Sequence, residues 1–227
     1  MKDMNIKFIK PSYEIDMFGQ TGIDKLKNIE KVARTCYKSE DKITDDSHEK
    51  LIRGLKKRNH TAMFEFASFN VKFIASRAFS HELVRHRIGC SFAQESQRYV
   101  GYGDAIEFII PSWMKMEPWE CNMAEVTEED IRCHAVDFTD IVWLESMIDS
   151  ASSYSMLIEQ GWKPEQARDV LPNACKTEIN ITANLREWIN IFNLRDHPTA
   201  SPPMRELMEP LHIKIAGMIP IIFDQEI

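Results

Sequence analysis

The chain of 227 residues, 44% apolar and 10% aromatic, is long enough for one or two domains with a sizeable core, which excludes wholesale disorder. Its 28 Lys and Arg against 35 Asp and Glu give a formal charge of -7, which disfavours non-specific attraction to nucleic acid or anionic lipid but leaves room for a local anion site. No apolar run approaches the roughly 20 residues of a membrane span, and no hydrophobic signal core follows Met1-Lys2-Asp3-Met4-Asn5, so a cytoplasmic protein without a membrane segment is expected.

No internal repeat or low-complexity linker divides the sequence, and residues 1–227 are treated as a single domain. After a short apolar start at Ile6 to Ile9, Ile23, Leu26, Ile29 and Val32 recur at helical spacing, predicting a helix to about Ala33. A second helix is expected from Ser47, with Leu51, Ile52 and Leu55 on one side, stopping before Arg58-Asn59-His60. From Phe66 to Ile74 strict alternation predicts a strand. Residues Arg77 to Ile88 read as a helix, and Ile106 to Ile110 as a short strand ended by Pro111. Residues 111–126 lack a period and read as an irregular surface excursion.

Thr127 with Asp130 resembles a capping signal, and an apolar stripe from Ile131 to Ile158 predicts the longest helix, ending at Gly161. Pro164 suits the first position of a short helix ending at Pro172, with another helix from about Thr177 to Leu194. Met204 to Met218 supply a final amphipathic helix, with Pro210 as a kink point. Helices outweigh strands, and the expected class is α+β, helix-rich around a small antiparallel-type sheet.

Five irregularly spaced cysteines without a Cys-x-x-Cys pair point to reduced thiols, and no metal is expected. Only 8 glycines occur, with no G-x-G-x-x-G and no G-x-x-x-x-G-K-[ST], so phosphate must be held by side chains or other backbone amides.

The densest polar cluster is His81-Glu82-Leu83-Val84-Arg85-His86-Arg87, followed by Gln94-Glu95-Ser96-Gln97-Arg98-Tyr99. A zinc hydrolase H-E-x-x-H needs its second His four residues on. Here that position is Arg85, and His86 lies about 140° around a helix from His81, so zinc is set aside. On the same helical wheel Glu82, Arg85 and His86 share a sector of about 100°, while Arg87 points elsewhere. A solvated helix face with a Glu82–Arg85 pair is the plain alternative. The unbroken row of hydrogen-bonding types from Gln94 to Arg98 instead suits a polar heterocycle with a phosphate. A second cluster comprises Arg168, Asn184, Arg186, Asn190, Asn193 and Arg195 among Ile, Trp, Leu and Phe, where polar groups need partners. An internal hydrogen-bond network would account for it equally well.

The pattern Arg85-His86-Arg87, eight residues, then Ser96-Gln97-Arg98-Tyr99 resembles the signature of the flavin-dependent thymidylate synthase family. The likeness extends to His60, Phe64-Glu65, the Ala-Arg-x-Val-Leu-Pro at 167–172, Asn184-Leu185-Arg186 and Asn193-Leu194-Arg195, and so spans most of the chain in order. It implies that family's fold and the making of dTMP from dUMP, with the one-carbon unit from 5,10-methylenetetrahydrofolate and electrons from NADPH through FAD. By this resemblance Glu82, Arg85, Gln94, Glu95, Ser96, Gln97, Arg98, Arg168 and Arg195 match dUMP positions, Arg195 lying near the pyrimidine. Glu65, His86, Arg87, Ile88, Asn184, Arg186, Asn190 and His197 match the flavin side. His60 matches a histidine near flavin and substrate during methylene transfer, and Arg195 and His60 are the catalytic candidates.

The family needs no covalent cysteine, because reduced flavin delivers hydride while the protein orients ligands and polarises the pyrimidine. The sequence departs from the family at three flavin-side places. A gapless match puts Thr199 where members often carry a histidine, with His197 two residues earlier; Thr35 and Cys36 follow Ala33-Arg34; and Ala62 stands where Ser or Thr is common. The resemblance also implies a homotetramer with active sites shared between subunits, and neither nucleic acid nor membrane as partner. Competing readings are a nucleic-acid-binding protein using Arg85, Arg87 and Arg98 as a basic patch, and a flavoprotein NAD(P)H oxidoreductase without methyl transfer.

Overall fold

A computed structural model describes residues 4–103 and 105–224; Met1, Lys2 and Asp3 of the polar opening lie outside the described residues. In chain order come β1 (Asn5–Ile9), β2 (Ser12–Asp16), α1 (Gly22–Thr35), α2 (Ser47–Lys57), β3 (Ser68–Ser76) and α3 (Arg77–Leu83). There follow β4 (Cys90–Gln94), β5 (Ala105–Ile109), β6 (Trp119–Asn122), α4 (Glu128–His134) and α5 (Phe138–Glu159). The last elements are α6 (Pro164–Ala167), β7 (Lys176–Asn184), α7 (Leu185–Arg195), α8 (Pro202–Met218) and α9 (Pro220–Phe223). Short 3-10 turns occupy Glu40–Lys42, Thr61–Phe66 and Arg168–Val170. The class is α+β, and the strands form two sheets, ordered β5-β1-β6 and β2-β3-β7-β4. In the first, β1 runs parallel to β5 and antiparallel to β6.

The chain divides into two compact units. One comprises Met1–Ser12, Phe73–Leu83 and Gln94–Ile179; the other comprises Tyr13–Lys72, Val84–Ala93 and Asn180–Ile227. In the first unit Ile6 and Phe8 of β1 and Ile106 and Phe108 of β5 join Leu144, Met147, Ala151 and Tyr154 of α5 in one apolar core. The Phe8 ring stacks on Trp119 with centroids 5.4 Å apart. In the second unit Trp188 of α7 stacks on Phe69 at 4.6 Å and donates its indole N–H to the Phe69 carbonyl. That bond satisfies a fully buried donor that would otherwise cost stability.

Several elements form for reasons visible in the sequence. Thr21 and Thr127 head reciprocal capping boxes with Asp24 and Asp130, each satisfying two orphan amides. In β3 the inward set Phe69, Val71 and Phe73 is fully buried, as its alternation predicts.

Five expectations are corrected. The helix expected to reach Ile88 stops at Leu83, and the chain turns at Val84 and Arg85. At 85–87 exposure alternates, Arg85 and Arg87 outward and His86 buried, so the helical-wheel grouping of Glu82, Arg85 and His86 does not apply. The segment 111–126 is no simple surface excursion, since Met114, Met116 and Met123 enter the core and β6 pairs with β1. The expected longest helix is two helices, because Ala135 is extended and Asp137 caps α5 by accepting from the amides of Thr139 and Asp140. Residues 177–184, expected to be helical, belong to β7 with Thr177, Ile179, Ile181 and Ala183 inward, and α7 begins only at Leu185.

Candidate functional site

The second unit contains a cleft of about 500 Å³ lined by side chains that include Glu65, Ile88, Asn184, Arg186, Glu187 and Asn190. Three segments build it. The turn after α2 and the 3-10 turn that follows it bring Asn59, Thr61 and Glu65, the loop before β4 brings Ile88 and Gly89, and Asn184 with α7 brings the rest.

Asn184 anchors this arrangement. Its backbone N–H donates to the Gly89 carbonyl at 2.9 Å, and its side-chain oxygen accepts the Glu187 amide at 2.9 Å, capping α7. Gly89 has φ +70, and a Cβ there would sit 2.5 Å from the Asn184 amide nitrogen, so the close approach requires glycine. At the rim Arg186 donates to Glu65 at 2.6 Å.

Of the residues expected on the flavin side, Glu65, Ile88, Asn184, Arg186 and Asn190 share this lining, while Arg87 and His197 are exposed outside it. His197 Nδ1 lies 2.8 Å from the Thr199 hydroxyl, so the two candidates for the flavin-contacting position sit on one loop, paired with each other. His60 is exposed between two residues that line the cleft, Asn59 and Thr61.

His86 is 6% exposed. Its Nδ1 lies 3.0 Å from Glu187 Oε1, and its Nε2 accepts from Arg195 Nε at 3.0 Å. Burial pushes its pKa below the ordinary imidazole value, the Arg195 charge adds to that, and the Glu187 hydrogen bond opposes it. Glu187, Asn59, Thr61 and Gly89 had not been singled out from the sequence. For Glu187 a signal existed: an Asn followed three residues later by Glu is a helix-start pattern, and it places Glu187 in the first turn of α7.

The first unit carries most of the residues matched to the nucleotide. Gln94 donates to the hydroxyls of Ser80 at 2.9 Å and Thr177 at 3.1 Å. Ser96 Oγ accepts the Arg98 amide, tightening a turn. Gln97 donates to the Tyr102 hydroxyl at 2.6 Å, which lies 3.0 Å from the Cys175 sulfur. Arg98 pairs with Glu165 of α6 at 3.3 Å, and Arg168 follows Glu165 by three residues in sequence. Glu82 lies in this unit, whereas Arg85 and Arg195 belong to the other.

Glu95 belongs to a charged group around Lys176, whose ammonium lies 3.4 Å from Glu95, 3.5 Å from Glu107 and 3.0 Å from Glu178. Burial alone would lower the Lys176 pKa, but the Glu178 hydrogen bond and the three carboxylate charges outweigh it and hold the pKa above the ordinary lysine value. Burial raises the Cys175 and Cys90 thiols, in the latter case with the Glu187 charge adding. Among the described residues no cluster of His, Cys, Asp and Glu could hold a metal, and no helix is long and apolar enough to cross a membrane.

Comparison with known proteins agrees with the resemblance drawn from the motif. Residues 20–221 match the family described as thymidylate synthase complementing protein. The flavin-dependent thymidylate synthase of Geobacter sulfurreducens is 33% identical over 199 residues, covering 84% of this chain and 77% of that protein. The one from Clostridium tetani is 30% identical, covering 87% and 80%. Among solved structures, the UMP/dUMP methylase PolB from Streptomyces cacaoi bound with 5-Br dUMP superposes with a TM-score of 0.69 at 24% identity, over 96% of this chain and 95% of that one, a likeness of fold. With the motif in order, the family match over most of the length and relatives of this identity, the chain belongs to the thymidylate synthase complementing protein family, the flavin-dependent thymidylate synthases.

Proposed function

We propose that the chain catalyses reductive methylation of dUMP to dTMP with FAD as cofactor, 5,10-methylenetetrahydrofolate as carbon donor and NADPH as reductant. The observation that carries this reading is the cleft of the second unit. Its amide and guanidinium donors beside the exposed Ile88 fit a ligand that is anionic at its phosphates and apolar at its ring face. Glu65, Ile88, Asn184, Arg186 and Asn190 would hold FAD, together with His86, Arg87 and His197 by the family match. Bound flavin supplies the hydride that completes the methyl group.

The chain's own part is binding and orientation. Arg98 and Arg168 suit the nucleotide phosphate, since each guanidinium offers a planar fork that a lysine lacks. Glu82, Arg85, Gln94, Glu95, Ser96 and Gln97 position the nucleotide in this reading, and Arg195 polarises the pyrimidine. His60 is assigned to the transfer step. No thiolate is needed, and the raised pKa values of Cys90 and Cys175 suit that, because a protonated thiol is a weak nucleophile. The active assembly in this proposal is a homotetramer with active sites shared between subunits. A cytoplasmic location is supported by five free cysteines.

The test is tritium release from dUMP labelled at the uracil 5-position, with NADPH and methylenetetrahydrofolate, using protein whose flavin is read from its visible spectrum. Release that depends on both co-substrates supports the proposal. A colourless protein after FAD addition, or NADPH oxidation without dTMP, overturns it.

A further inference from the structure

Glu187 is the first-turn residue of α7 whose carboxylate turns inward. It is buried, it lines the cleft, and it lies 3.0 Å from His86 Nδ1. The imidazole is held on both nitrogens, because Arg195 Nε lies 3.0 Å from Nε2. Arginine Nε always carries hydrogen and can only donate. The Nε2 atom must therefore present its lone pair, and the single ring proton must sit on Nδ1, where it donates to Glu187 Oε1. One tautomer of neutral His86 satisfies all three side chains, and the lowered His86 pKa agrees with a neutral ring.

Asn190 donates to both Glu187 oxygens, at 3.2 and 3.3 Å, so the carboxylate is fixed from the cleft side as well. Glu187 and Arg195 stand eight residues apart on α7. At 1.5 Å of rise per residue this is about 12 Å. His86 therefore ties the start of the helix to its last residue. The bond through Nε also sets the plane of the Arg195 guanidinium, and with it the direction of the two Nη groups.

We propose that Glu187 is a positioning residue for methyl transfer: by fixing the His86 tautomer it aims Arg195 at the pyrimidine. This rests on the reading of Arg195 as a pyrimidine contact. A carboxylate that merely filled space beside a buried histidine would not need to specify which ring nitrogen carries the proton.

The experiment uses flavin-loaded protein with 15N-labelled histidine, at about pH 8, where a free imidazole is neutral. Long-range proton–nitrogen correlation spectra assign the His86 tautomer in the wild type, in Glu187→Gln and in Glu187→Met. The wild type is expected to carry its proton on Nδ1, and the opposite tautomer there overturns the proposal with no variant required.

Glu187→Gln keeps an acceptor oxygen facing two donors, His86 and Asn190. It is expected to retain the tautomer and to hold kcat/KM for dUMP within about 3-fold. Glu187→Met keeps the volume and removes the acceptor. It is expected to lose the Nδ1-protonated form and, measured at saturating FAD, to lower kcat/KM for dUMP by about 10- to 100-fold, the scale of a slight misplacement. An unchanged tautomer or unchanged kcat/KM in Glu187→Met overturns the proposal. Equal impairment of the Gln and Met variants does so too, since the loss would then follow charge rather than the acceptor. Failure of the wild type to release tritium from labelled dUMP would overturn the reaction and with it the role given to Glu187, while the tautomer is read independently of turnover.

Discussion

Replacing Gly89 with alanine tests the construction of the cleft directly. At φ +70 an L-residue costs about 1 to 2 kcal/mol. The new Cβ also meets the Asn184 side chain at 2.5 Å from its nitrogen, 3.1 Å from its carbon and 3.2 Å from its oxygen. That side chain must swing away, and its bond to the Glu187 amide, the N-cap of α7, is lost. A lost cap adds about 1 kcal/mol, giving about 2 to 3 kcal/mol in all. Asn184→Ala alone removes the cap and is expected to cost about 1 kcal/mol.

The double variant separates the two contributions. Once Asn184 is truncated the clash is gone, so the pair should cost little more than Gly89→Ala alone, about 1 kcal/mol less than the sum of the single changes. Urea unfolding followed by far-UV circular dichroism measures this, and FAD titration should show weaker binding in all three proteins. A Gly89→Ala cost below about 0.5 kcal/mol, or strict additivity of the pair, would refute the reasoning, because either result means that the approach of Gly89 to Asn184 is not tight.

Arg98→Ala is expected to weaken dUMP binding by about 1 to 3 kcal/mol in calorimetry with FAD affinity unchanged; equal loss of both ligands would count against the division of residues between them. Glu30→Ala should destabilise the second unit by about 3 kcal/mol in urea unfolding, since the buried carboxylate accepts two bonds from Arg34 and one from Ser47, and its removal strands a largely buried guanidinium. Arg186→Ala breaks an exposed pair with Glu65 and should cost less than about 1 kcal/mol of stability while weakening FAD binding clearly. The lowered pKa of His86 gives a pH signature. Between that value and about 6.5 the unfolded chain binds a proton that the native chain does not, so stability falls as pH drops through this window, by up to about 1.4 kcal/mol per unit for one proton. In His86→Gln that part of the unfolding profile should flatten, and identical slopes in the two proteins would contradict the assignment.

What the sequence made legible was local. The capping boxes at Thr21 and Thr127, the apolar stripe of α2 and the alternation of β3 each lie within a few residues of their cause. The misreadings arose where two periods overlap. Thr177, Ile179, Ile181 and Ala183 alternate as a strand should, but the helical spacing of Arg186, Asn190 and Asn193 drew the helix backwards over them, although the Asn184 cap marks where the period changes. At Arg85-His86-Arg87 the charges fitted a helix face, and only the partners of His86, 101 and 109 residues away in sequence, show why the ring turns inward. The cleft residues followed from motif resemblance far better than from periodicity, because a hydrogen-bond partner distant in sequence leaves no trace in spacing.

The net charge of -7 and the anionic ligands of the proposed reaction are reconciled by how the arginines are held. Arg98 is paired with Glu165 and Arg186 with Glu65, and all four side chains are around half exposed. Such pairs contribute about 0 to 1 kcal/mol, so a phosphate can displace either carboxylate at little cost, and the released acid returns to water. The acidic excess thus lies partly in partners that give way. Arg195 is held differently at its Nε, where it donates to the ring nitrogen of the buried His86 rather than to a carboxylate. A cation that must exchange partners as ligands come and go is suited to grip, whereas one whose plane is set by a buried neutral ring is suited to aim.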